Sequence, residues 1–106
     1  MELTSTIIED TIENLNTRGW CRKNLQDENG NVCVLGAFYL ALGLEFLSHG
    51  VLAADWSKHY DVLVEFGDTL DISGNVAHWN DSVVTGKDEI VDKLTELAKD
   101  FRNRGR

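Results

Sequence analysis

Proline is absent from these 106 residues, cysteine occurs twice and methionine once. No linker, low-complexity tract or repeat divides the chain, so residues 1–106 read as one domain of ordinary size. Two cysteines are too few for a disulfide scaffold, and in a reducing compartment they stay free thiols. No apolar run approaches the ~20 residues that cross a bilayer. No basic segment followed by an apolar stretch opens the chain, so no signal peptide is expected. These absences predict a cytoplasmic protein with no membrane partner. Disorder is excluded as well, because 42% of the residues are hydrophobic and 26% charged, the proportions of a globular chain.

Cations are also scarce. Lys and Arg number 10 against 18 Asp and Glu, a formal net charge of −8. Residues 99–106 hold Lys99, Arg102, Arg104 and Arg106 against Asp100, a net of +3, which leaves −11 on residues 1–98. So acidic a body repels phosphate backbones and argues against a nucleic-acid partner. The basic end follows the last helix, where cations complement the negative end of the dipole.

Signatures of cofactor and metal chemistry are missing too. Cys21, Cys33, His49, His59 and His78 are scattered, with no paired spacing of the kind zinc sites use. The acidic stretch from Asp27 fails as a calcium loop, since its sixth position is Val32 and its twelfth Phe38. No P-loop, dinucleotide fingerprint or nucleophile elbow is present. No cofactor and no metal site is therefore expected.

What the chain does have is helical periodicity. Ile8, Ile12 and Leu15 make an apolar stripe over about 5–18, capped by Thr4 or Ser5 and closed by Gly19. Residues 34–43 are apolar nearly all round, as in a buried central helix, and apolar character continues through Leu44, Phe46 and Leu47 to His49-Gly50. A third helix over about 55–66 has Asp55 as cap, Trp56, Tyr60, Leu63 and Val64 as stripe, and Gly67 as terminator. Residues 68–84 read as loop, with a Ser73-Gly74-Asn75 turn and at most a short strand at Ile72. Thr85 and Asp88 frame a capping box for a last helix striped by Ile90, Leu94, Leu97, Ala98 and Phe101. Asn29-Gly30 is a hairpin signal, with residues 20–25 and Val32–Val34 as the two arms. The expected fold is α+β, mainly α: three to four packed helices with a short β-hairpin.

Two places could carry chemistry. Cys33 stands at a helix N-terminus, where the dipole favours a thiolate, and His78 with Asn80 or Asp81 lies downstream as a base. Against this, Cys33 sits between Val32 and Val34, and free cysteine usually behaves as a small buried hydrophobe. Trp79-Asn80-Asp81 reads either as an anchor, with Asn80 and Asp81 bonding nearby backbone, or as a polar ligand pocket beside Trp20 or Trp56. The anchor is the better reading. Catalytic residues are therefore not assigned, with Cys33, His78 and Asp81 as the candidates. Ligand contacts would fall to Trp20, Trp79, Asn80 and Asp81.

Gly19-Trp20, an acidic Asn-Gly turn, Cys33-Val34-Leu35-Gly36-Ala37 and Trp79-Asn80-Asp81 with Thr85 before an amphipathic helix form an ordered set. Over about residues 3–100 this set resembles a family of small proteins of unknown function from actinobacteria and their bacteriophages. The chain departs from that pattern at Val83-Val84, where a polar or basic residue is common, and in its acidity. The resemblance implies a cytoplasmic, phage-encoded protein and carries over no catalytic residue. Size, charge and missing motifs favour a non-enzymatic acidic interaction protein that binds a host protein. A tryptophan-lined ligand-binding module and a Cys33/His78 thiol enzyme are the alternatives.

Overall fold

The computed structural model describes residues 2–46, 56–70, 72 and 75–106. Helix α1 spans Ser5–Arg18, α2 Val34–Ala41, α3 Tyr60–Thr69, α4 Val76–His78 and α5 Lys87–Asn103. A single 3-10 turn, Trp56–His59, leads into α3, and a π-helical turn, Trp79–Val83, follows α4. The protein is mainly helical, as its periodicity predicts. Asp55, the side chain of Trp56, Leu47, His49, Gly50 and the Ser73-Gly74 turn lie outside the described residues.

The two longest helices form where local signals agree. Thr4 caps α1 by accepting the Ile7 N–H, and Ile8 and Leu15 are wholly buried. In α5, Ile90, Leu94, Ala98 and Phe101 turn inward. Its start differs in detail from the expected box: Thr85 donates from both its N–H and its hydroxyl to Glu89, not to Asp88. Helix α1 packs against both α2 and α5. The basic end reaches back over these helices. Arg102 pairs with Glu9, Arg104 with Asp100, and Arg106 with Glu2 and Glu65.

The hairpin does not form, and no β-strand occurs among the described residues. The Asn-Gly turn itself closes: Gly30 has φ +85° and donates to the Asp27 carbonyl, while the Asp27 carboxylate accepts the Asn29 and Asn31 N–H groups. The arms then fail to run together. Val32 makes one parallel bridge to Trp20 and one antiparallel bridge to Gln26, with no ladder beyond either. Lys23 takes φ +73° in the first arm, and the second arm coils into α2 at Val34. Extended pairing needs consecutive β residues on both sides, and neither side supplies them.

Residues 68–84 are also more ordered than a loop. Helix α3 runs on to Thr69, so Gly67 lies inside it rather than after it. Ile72 stands in a bend, not a strand. Helix α4 and the π-helical turn fill 76–83, with Asn75 capping through its acceptance of the His78 N–H. The face of α3 is rotated from the predicted stripe as well. Val62, Phe66 and Leu70 are buried, whereas Tyr60 is 56% and Val64 41% exposed. Asp61, Glu65 and Asp68 mark one face of α3, and apolar residues flank it on both sides, so the row through Tyr60 and Val64 competes with the row through Val62 and Phe66. Stacking settles it: the Phe66 ring lies parallel to that of Phe38 in α2, centroids 4.1 Å apart.

Candidate functional site

The motif residues, distant in sequence, meet at the N-terminus of α2. The first N–H groups of any helix lack intrahelical partners. Here Cys33 is the N-cap, and its sulfur accepts from the Gly36 N–H at 3.3 Å. The Val34 N–H is taken by Asn80 Oδ1 at 3.0 Å. The same oxygen accepts the Trp20 indole N–H at 2.7 Å. Asn80 Nδ2 donates to the Cys21 carbonyl at 3.1 Å and to Asp81 Oδ1 at 2.9 Å. A carboxamide has two acceptor and two donor positions, so Asn80, fully buried, is saturated by its own chain. Asp81 Oδ1 also holds the Lys23 N–H at 2.8 Å, which fixes the strained left-handed residue in place.

Small residues make this approach possible. A Cβ at Gly36 would stand 2.1 Å from the Leu25 carbonyl oxygen, so that carbonyl lies directly on α2. A Cβ at Gly19 would stand 2.2 Å from Asn31 Oδ1, at φ +91°. Arg22 closes the outer edge, with its guanidinium 4.6 Å from the Trp20 ring centroid and donating to the Val84 carbonyl at 2.6 Å. The π-helical turn lets consecutive residues, Trp79 and Asn80, both face inward.

The structure thus brings together Trp20, Cys33, Asn80 and Asp81 of the candidate residues. Trp79 is 6% exposed within the main core. His78 is exposed on α4, and no hydrogen bond joins it to Cys33 among the described residues. Burial pushes the Cys33 thiol above its ordinary value, against a smaller downward pull from the Gly36 and Leu35 N–H groups. The nearby Asp81 charge acts in the same direction as burial. Burial, helped by the Asp27 charge, lifts the Cys21 thiol to about 11. Both cysteines are free. Among the described residues, no three His, Cys, Asp or Glu side chains gather as metal ligands would.

Grooves mark the surface among the described residues, and two of them concern the helices above. One, between α1 and α5, has a volume of about 410 Å³ and is lined by both partners of the Glu9–Arg102 pair. The other, of about 260 Å³, runs beside α3 and is lined by Leu35, Leu63, Val64, Gly67 and Val76, with Asp68 also in its wall. Sequence periodicity misses this second groove, because it assigns Tyr60 and Val64 to the core. A trace was available in Asp61, Glu65 and Asp68, which give α3 three acids and no base.

Fold and site together define a small, mainly helical protein in which segments distant in sequence build an internal polar junction. The chain belongs to the family of unknown function DUF6197, whose model matches residues 1–100. No curated protein and no solved structure matches it. No helix among the described residues is long and apolar enough to cross a membrane.

Proposed function

We propose that the chain is a non-enzymatic acidic interaction protein that docks on a basic, apolar surface of a partner protein. The fate of its charges carries this reading. Arg22, Arg102, Arg104 and Arg106 are bound to groups within the chain. Asp10, Asp61, Asp68 and Asp92 are exposed and form no ion pair among the described residues. Arg18, Lys23, Lys58, Lys87, Lys93 and Lys99 also form no ion pair among the described residues, but at a net charge of −8 the outward field is negative, which steers a positive partner and repels nucleic acid. The setting implied by the resemblance, a phage product acting on a host protein in the bacterial cytoplasm, suits such a molecule.

The alternatives draw less support. Asn80 has no free hydrogen-bonding position for a ligand beside Trp20. Cys33 is 5% exposed, and burial raises its thiol above the ordinary value, away from the nucleophilic thiolate. Affinity capture from a bacterial lysate tests the proposal, using the whole protein and a variant with Asp10, Asp61, Asp68 and Asp92 changed to Asn. A stoichiometric protein should associate with the native chain about tenfold faster than with the variant, and more slowly as salt rises. Equal capture by both, or a small molecule retained at Trp20 and Trp79 instead, would overturn it.

A further inference from the structure

The α3 groove sets an apolar seat beside exposed acids, and we infer that it is the docking site for a cationic amphipathic helix of a partner protein. This rests on the interaction reading above and specifies its surface and ligand. Apolar side chains supply the seat: Val64 is 41% exposed beside Leu63, Leu35 of α2 and Val76 of α4. Gly67 lines the groove at a mid-helix position where alanine would be the better helix former. Charge supplies the selectivity. Asp61 and Asp68 are exposed and unpaired among the described residues, and α3 carries no cation. Seven positions apart, the two lie on one side of the helix, separated by ~10 Å at 1.5 Å per residue.

That geometry dictates the partner. A helix laid along the groove presents apolar residues at three- and four-residue spacing to Val64 and Leu63. Two Lys or Arg side chains about two turns apart then face Asp61 and Asp68. An extended strand would find no sheet edge to join, since no β-strand occurs among the described residues. A second copy of the chain carries the same excess of acids, a net charge of −8, so it complements Asp61 and Asp68 less well than a cationic partner does.

Titration of the isotope-labelled whole protein with a synthetic Lys/Leu amphipathic helix tests the assignment. The controls are a peptide of the same apolar face with Gln in place of Lys, and oligolysine. The Lys/Leu helix should shift the amide signals of Leu35, Leu63, Val64, Gly67 and Val76. Val64→Asp should weaken binding about tenfold although it adds attractive charge, because it removes the apolar seat. Asp61→Asn with Asp68→Asn should weaken it several-fold, and salt should erase that difference. The Gln peptide should bind less well than the Lys/Leu helix, and oligolysine should leave the Leu63 and Val64 signals unmoved. Shifts scattered over α1 and α5 and indifferent to Val64→Asp would overturn the groove assignment while leaving the broader interaction reading intact. No binding of any cationic peptide would overturn both. Concentration-dependent self-association through Val64 would replace the partner with a second copy.

Discussion

Asn80 and Val64 invert the usual placement of their residue types: the amide is wholly buried and the valine is 41% exposed. The difference between their surroundings explains both. Around Asn80 the chain offers two donors and two acceptors in reach, so burial leaves no polar atom unpaired. Around Val64 the inner face of α3 is already filled by Val62, Phe66 and Leu70, so an apolar side chain is left outside. The first region is a junction that fixes the fold. The second is a surface left over once the fold is fixed, and therefore available for recognition.

The sharpest way to break this contrast is at the core edge of the junction. Trp79→Ala should cost on the order of 3–5 kcal/mol, comparable to the whole stability of a small domain. Circular dichroism should show a largely unfolded chain. If the variant instead stays folded and resists urea like the native protein, Trp79 is not an anchor, and the ligand-pocket reading returns.

Asn80→Ala should come next, at about 3 kcal/mol, because it strands the buried Val34 N–H and the Trp20 indole N–H together. Urea midpoints measure it. A loss under 1 kcal/mol, as for an ordinary surface change, would show that water replaces the amide and that the junction is not saturated as described.

A smaller effect concerns pH. The Cys21 thiol has its pKa raised from 9.0 to about 11, by burial first and the Asp27 charge second. Between those values the unfolded chain ionises before the folded one, so stability falls as pH rises from 9.0 towards about 11. Below 9.0 this group contributes no slope. Cys21→Ser should flatten the decline, as read by thermal melting against pH. An identical decline in both proteins would place Cys21 in ordinary solvent.

The smallest expected change is Val64→Asp, within about 0.5 kcal/mol of the native stability. A drop of 2 kcal/mol or more would mean that Val64 belongs to the core and that the two regions are not distinct.

Legibility in the sequence followed the range of the forces involved. Helices α1 and α5 could be read residue by residue, because caps such as Thr4 and stripes such as Ile90, Leu94 and Phe101 act within one or two turns. The Asn-Gly turn was legible for the same reason, but the hairpin expected from it was not formed. Whether its arms pair depends on where the chain goes after Cys33. For Trp79-Asn80-Asp81 the residue types suggested bonds to nearby backbone, but the partners are remote: the bond from Trp20 to Asn80 spans 60 positions.

By itself, then, the sequence determined an acidic, mainly helical chain with its capped helices. These follow from composition and short-range periodicity. Tertiary structure alone decided that Asn80 caps α2, that Gly36 receives the Leu25 carbonyl and that Phe66 rather than Val64 turns inward. Each is a choice between faces or partners of nearly equal local merit. Only packing against a distant segment, as when Phe66 stacks on Phe38, breaks such a tie.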